Sequence, residues 1–312
     1  MKKPNILVIC GPTATGKTKL SIEIAALKNG EIISADSMQI YKKMNIGTAK
    51  PTIKERQGVK HYLIDEIEPN ESFSVVKYKD LAVKYIETIL SNNKLPIIVG
   101  GTGLYINSVI DNLEFPNYKV DYDYRNKLCE IAKNEGGQKL KEMLLKVDET
   151  TALALHNNDI KRLCRALEIY NTTGKTQSYW NEKSKQNQCS YNPIMVGLTY
   201  KDRNLLYEKI NLRVDKMLEN GLIDEVKELL NSGLNELATS MQAIGYKELA
   251  LYLKGETTKE KAIDKIKQES RRYAKRQLTW FRNDNRIKWI FIDETKESEN
   301  ILKNILNYME IN

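Results

Sequence analysis

Eight consecutive residues, Gly11, Pro12, Thr13, Ala14, Thr15, Gly16, Lys17 and Thr18, fill the pattern GxxxxGK[ST]. The chemistry of that spacing is phosphate binding. The two glycines let the backbone turn so that successive amides point inward at anionic oxygens. Lys17 adds a compact cation, the Thr18 hydroxyl is a ligand type for Mg²⁺, and a helix starting there contributes its positive end. An apolar run precedes the loop (residues 6–10) and a helical pattern, "TKLSIEIAALKNG", follows it, as this mechanism requires.

Enzymes that use a nucleoside triphosphate ordinarily place a second Asp at the end of another apolar strand to hold the metal. Here the run 97–99 leads into "GGTGLY" with no carboxylate. The carboxylate nearest the same rim is Asp36, just past the run 32–34. It suits a group that takes a proton from a nucleophile or holds a metal-bound water; capping the next turn is the plainer role. The absent second carboxylate points away from a hydrolysed triphosphate. Thr102 offers a hydroxyl on a second glycine turn, and Arg213 in "INLRVDKML" suits either a bidentate phosphate donor or the partner of a surface carboxylate.

Five short runs rich in Ile and Val (6–10, 32–34, 97–99, 194–198 and 289–292) are separated by long stretches of helical periodicity. That alternation predicts an α/β fold, a P-loop NTPase-like core whose parallel sheet is flanked by helices, with ligands at the carboxyl ends of the strands. Between 99 and 194 the alternation stops, and 118–188 reads as a helical insertion. The expected domains are therefore 1–117 with 189–312 as the core, carrying C-terminal basic helices, and 118–188 as the insertion.

The net charge of +8 makes a polyanionic partner plausible. "RRYAKRQLTWFR" carries five cations and no acid. On a helix, Arg271 with Lys275 and Arg272 with Arg276 stack at i, i+4, a repulsion that a polyanion would relieve. Ala274, Leu278 and Phe281 form the opposite apolar stripe. In the insertion, "DIKRLCRALEIY" places Lys161, Arg162 and Arg165 outward and Leu163, Leu167 and Tyr170 inward. The four cysteines are scattered and there are only two histidines, which argues against a zinc site and suits a reducing compartment. The first apolar run is too short for a signal peptide and no stretch approaches a membrane span, so a cytoplasmic protein that makes no membrane contact is expected.

The collected motifs resemble one family closely, the bacterial tRNA dimethylallyltransferases, also called tRNA isopentenyltransferases. "GPTATGKTKL", "IISADSMQIYKKMNIGTAKP", "HYLIDEIEPNESFSV", "IIVGGTGLYI", "RLCRALEIYNTTGK", "LRVDKMLENGLIDEV", "QAIGYKEL" and "RRYAKRQLTWFR" occur in the family's order across nearly the whole chain. Tyr62 departs from the pattern, standing where a second His is common. The resemblance implies that the loop from Gly11 to Thr18 holds the diphosphate of dimethylallyl diphosphate. It implies transfer of the allylic carbon to the exocyclic amine of the adenosine on the 3′ side of the anticodon, with release of diphosphate. By motif, Asp36 would act as general base, while Lys17, Arg213 and Thr18 with Mg²⁺ neutralise the leaving group and Thr102 lines the channel. Ser37, Met38 and Gln39 would touch the target nucleotides. Arg125 and the stretch Lys161, Arg162, Leu163, Cys164 and Arg165 would grip the RNA, joined by Arg271, Arg272, Lys275 and Arg276. A monomer is expected. Competing readings are prenyl transfer to free adenine nucleotides, a small-molecule P-loop kinase, and an RNA-binding protein with a relic loop.

Overall fold

Strands too short and too rich in β-branched residues for buried helices alternate here with long amphipathic helices. The computed structural model describes residues 3–295 and 298–311. In chain order, β1 (Asn5–Cys10), α1 (Lys17–Leu27), β2 (Gly30–Ser34), α2 (Ile53–Arg56), β3 (His61–Tyr62), α3 (Val75–Ser91), β4 (Leu95–Val99) and α4 (Gly103–Ile110) come first. Four helices follow: α5 (Tyr122–Leu145), α6 (Glu149–Ala154), α7 (Ile160–Thr173) and α8 (Gln177–Gln186). The chain then returns through β5 (Asn192–Thr199), α9 (Arg203–Glu219), α10 (Leu222–Asn231), α11 (Tyr246–Leu253), α12 (Lys259–Phe281), β6 (Ile287–Phe291) and α13 (Ser298–Ile311).

These elements form two compact units, one of residues 1–110 with 190–312 and one of residues 111–189. The first holds a six-stranded parallel sheet in the order β3-β2-β4-β1-β5-β6. β1, β4 and β5 are buried almost throughout, as strands covered on both faces must be. One apolar layer joins Leu7, Ile9, Ile97 and Val196 of the sheet to Ile22 and Ile24 of α1 and Ile301 and Ile305 of α13. The chain lays β2, β3 and β4 to one side of β1 and β5 and β6 to the other. The reversal leaves a crevice at the carboxyl end of β1, the usual place for a ligand in such sheets.

The two-residue edge strand β3 was not among the five runs read from the sequence. It pairs with β2 at Ile32 and Ile33, in a stretch too short and too mixed in polarity to show a period. Helix α12 shows its packing plainly. Ala262, Ile266, Ala274, Gln277 and Phe281 are buried at helical spacing. In the second unit, α5, α6 and α7 close around Leu128, Leu140, Leu144, Leu163 and Leu167, and α5 breaks at Gly136, whose φ of 77° is left-handed.

Candidate active site

The phosphate loop leaves β1 at Cys10 and enters α1 at Lys17. Gly11 has φ 129°, and any side chain there would run into the Leu198 backbone of β5, so this position demands glycine. Gly16 caps α1 with φ 76°, and Ala14 also sits at positive φ, 64°, a strained state for a residue with a Cβ. Thr15 Oγ1 and Lys17 Nζ both donate to the Pro12 carbonyl, at 3.0 and 2.6 Å. Burial pushes the Lys17 ammonium down to about 8, with the Arg213 charge adding to the shift.

Two other strand ends are stitched to this loop. The Ala35 amide donates to Val99 O at 2.7 Å, Gly100 N to Ile9 O at 3.1 Å, and Thr102 N to Ala35 O at 3.0 Å. Gly100 lies so close to the Ala35 carbonyl that a Cβ would collide with it. The second glycine turn thus permits the close backbone approach that its sequence suggested. Thr102 Oγ1 accepts from Ser37 N at 3.2 Å. Asp36 Oδ1 accepts from Met38 N at 2.9 Å, so the carboxylate caps its own turn through one oxygen.

Arg213, on α9, lines each of three adjoining cavities, of about 280, 90 and 690 Å³, and has no ion pair among the described residues. Burial lowers its pKa and the charge of Asp36 opposes that shift. Arg213 lies beside Lys17 and Thr18 of the phosphate loop and pairs with no surface carboxylate among the described residues. The 280 Å³ cavity joins Thr13, Asp36, Ser37, Met38 and Arg276 to an apolar wall of Ile210, Val214, Met217, Ile244 and Ile266. The 90 Å³ cavity is polar and holds Lys17, Thr18, Asp36 and Gln39.

Thr18 faces two of these cavities and its hydroxyl makes no hydrogen bond among the described residues. No group of three His, Cys, Asp or Glu could hold a metal among those residues. The donor set therefore fits Mg²⁺ only in its usual manner, with one hydroxyl, several waters and substrate phosphates as ligands.

The remaining expected residues divide into exposed and occupied ones. Lys161, Arg162 and Arg165 are exposed on α7. Leu163 is fully buried and Cys164 nearly so, because both face the interior of their own unit. Their side chains cannot meet an RNA, which corrects the expectation for these two. Tyr170, expected inward, is exposed. Arg125 forms a bidentate pair with the buried Glu168 at 2.5 and 2.8 Å. Gln39 accepts from Ser34 Oγ at 2.9 Å and donates to Thr48 O at 3.2 Å, so its amide is engaged within the protein. On α12, Arg271 donates to Asn211 and Arg272 to Glu269, whereas Lys275 is exposed.

The IPP transferase family model matches residues 39–284. The chain belongs to the IPP transferase family. It is 52% identical over 305 residues to the tRNA dimethylallyltransferase of Acetivibrio thermocellus, covering 98% of this chain and 97% of that protein. Against the tRNA dimethylallyltransferase of Bacillus cytotoxicus it is 47% identical, with 99% and 97% covered. Among solved structures it resembles the full-length tRNA isopentenylpyrophosphate transferase of Bacillus halodurans, with TM-score 0.73, 45% identity, and 99% and 96% covered. A eukaryotic dimethylallyltransferase captured acting on tRNA matches with TM-score 0.75 at 29% identity, covering 97% of this chain and 78% of that one. As an IPP transferase family member the chain is an enzyme of the prenyltransferase kind. The phosphate loop and Asp36 lie ahead of the matched family region, but the whole-length relatives span them.

Two site residues of this IPP transferase are invisible to local spacing. Gln277 Oε1 accepts from Thr13 N at 3.0 Å and its Nε2 donates to Gly101 O at 3.0 Å, joining α12 to both glycine turns. Tyr273 sits against Thr102 and Gln277, and burial, helped by the Asp36 charge, pushes its phenol up to about 12. The one sequence signal for Gln277 was a polar residue on the apolar stripe between Ala274 and Phe281.

Proposed function

We propose that this enzyme transfers the dimethylallyl group of dimethylallyl diphosphate to the exocyclic N6 of the adenosine on the 3′ side of the tRNA anticodon. The observation that carries this reading is the 280 Å³ cavity, where an apolar wall meets Asp36, Arg213 and the phosphate loop. A diphosphate bearing a short hydrocarbon needs such a pairing of surfaces.

In the reaction the N6–C1 bond forms as the C1–O bond breaks, the bonding pair leaves with diphosphate, and the N6 proton passes to Asp36. An adenine amine is a weak nucleophile, so the rate depends on alignment and on stabilising the departing charge. The loop amides of Gly11 to Thr18, the Lys17 ammonium and the Arg213 guanidinium supply that stabilisation. Bound through the Thr18 hydroxyl and the diphosphate, Mg²⁺ would supply further positive charge. Thr102, held by the Ser37 amide, and Tyr273 set the position of the acceptor beside Asp36. Ser37 and Met38 line the cavity on the acceptor side. The exposed cations Lys161, Arg162, Arg165, Lys275 and Arg276 provide the backbone attraction that RNA binding needs. A tRNA acceptor places the reaction in the cytoplasm, and no helix among the described residues is long and apolar enough to cross a membrane.

Incubation with unmodified tRNA, Mg²⁺ and labelled dimethylallyl diphosphate tests the reading. Label on the adenosine beside the anticodon is the expected result. Label on free AMP but not on tRNA overturns the acceptor, and absence of transfer to either overturns the reaction.

A further inference from the structure

The loop 43–49 joins the Asp36 turn to the segment before α2, and its own contacts fix only part of it: Thr48 Oγ1 donates to Met44 O at 2.6 Å and Ala49 N to Ile46 O at 2.9 Å. Lys43 and Ala49 both have positive φ, 62° and 46°, a strained state for either residue. The amides of residues 45–47, however, are held from elsewhere in the chain. The Glu225 carboxylate, from α10, accepts three consecutive backbone amides: Asn45 N at 2.7 Å, Ile46 N at 2.9 Å and Gly47 N at 3.1 Å. The same carboxylate accepts the Tyr246 hydroxyl at 2.6 Å. Tyr246, the first residue of α11, is completely buried, and its ring occupies the space that a side chain at Gly47 would need.

This loop is also a shared wall. Asn45 and Ile46 line the 690 Å³ cavity together with Gly16, Lys17 and Thr18. Gly47 and Thr48 line the 280 Å³ cavity together with Asp36 and Arg213. A shift of the loop by an ångström would move both walls at once, and alignment of reactants is sensitive on that scale.

We propose that Glu225 and Tyr246 are positioning residues that hold loop 45–48 as the wall of the prenyl diphosphate site, through the three-amide clamp on one carboxylate. The proposal rests on the function proposed above for this site. In Glu225→Gln the side-chain volume is kept, but an NH₂ replaces one acceptor oxygen against a row of N–H donors. One amide oxygen cannot take them all, so the loop loses its clamp.

The test measures the dissociation constant of unreactive dimethylallyl thiolodiphosphate by calorimetry, together with the KM for the donor and for an anticodon stem-loop RNA. For Glu225→Gln, the analogue constant and the donor KM should both rise about tenfold, the effect of losing charge-assisted hydrogen bonds. The RNA KM should stay within about twofold, because RNA affinity is spread over many backbone contacts rather than resting on this wall. Tyr246→Phe, which keeps the ring and deletes one bond to Glu225, should raise the donor constants about threefold. Glu225→Asp should recover part of the affinity. A purely structural role would lower the folded fraction, and hence apparent kcat, with the donor constants unchanged. Unchanged donor constants in folded Glu225→Gln overturn the proposal, as does an equal loss of donor and RNA affinity. If Glu225→Gln does not fold, an unchanged analogue constant in Tyr246→Phe overturns it instead. If the wild type binds the analogue but prenylates no tRNA, the proposed function fails, while the analogue constants still decide the role of the clamp.

Discussion

At the carboxyl end of the sheet the polar groups are tied to backbone or buried side chains: Lys17 to Pro12, Asp36 to Met38, Thr102 to Ser37, Gln277 to both glycine turns. On α7 of the helical unit, the side chains of Lys161 and Arg162 stand in solvent with no hydrogen bond or ion pair among the described residues. Arg165 has only a long contact with Glu168 at 3.9 Å and stacks over Tyr118. The two regions answer different demands. A leaving diphosphate is stabilised by dipoles and charges fixed before the substrate arrives, since reorganisation would cost what the charge gains. A flexible RNA backbone is attracted by cations that adjust to it, and each exposed cation is worth little alone.

That contrast sets the order of expected effects. Asp36→Ala should lower kcat by about 10³-fold, within the range for losing a positioned base. Its tRNA dissociation constant should stay within about twofold, because RNA affinity is spread over many backbone contacts and Asp36 supplies only one contact to the acceptor base. A comparable loss of tRNA affinity, measured by filter binding beside single-turnover rates, would erase the distinction between the regions. Next comes Gln277→Leu, which leaves Thr13 N and Gly101 O without partners. Each orphaned buried group costs about 1–3 kcal/mol, so the donor KM should rise about tenfold or more while the RNA KM holds.

The protonation of Lys17 gives a third effect, of similar size. Its pKa is pulled down to about 8, so above about pH 8 the free enzyme carries a neutral amine, and binding a diphosphate must take a proton up. Affinity for an unreactive donor analogue should therefore fall with rising pH in that range, by up to about tenfold per pH unit. Arg213→Ala removes a neighbouring cation and should move the break to higher pH. A pH-independent affinity from about pH 8 to 9.5 would show that Lys17 does not meet the diphosphate. The smallest effect belongs to the solvated face. The double variant Lys161→Ala/Arg162→Ala should raise the RNA KM only several-fold, and should flatten the salt dependence by about 1.4 in slope if two single-strand phosphate contacts are lost. A collapse of kcat in that variant would mean that this face also fixes reacting groups.

The sequence made the central strands, the phosphate loop and the helical insertion legible because each carries a local signature, of period, spacing or composition. Edge strand β3 has no such signature in two residues. Leu163 and Cys164 belong to a motif whose basic members are exposed, yet the 3.6-residue period turns these two inward, and motif membership alone does not separate the two classes. Gln277 meets Thr13 across 264 positions of the chain, and Glu225 meets Asn45 across 180. Such pairings exist only once the sheet has ordered the helices around it.

The order of the strands has a consequence for how the chain acquires its shape. Central strand β1 pairs with β4 on one side and β5 on the other, yet β5 is synthesised only after the whole of residues 111–189. At ~5–20 residues per second, β1 waits on the order of ten seconds with one edge unpaired. The helical unit is a contiguous segment and its packing is local, so it is free to fold as it emerges, while β1 keeps one open edge until Thr199 arrives. An open, apolar strand edge is a template for mispairing. The nascent half-sheet, residues 1–110, is therefore where this enzyme is most exposed to aggregation and to chaperone capture.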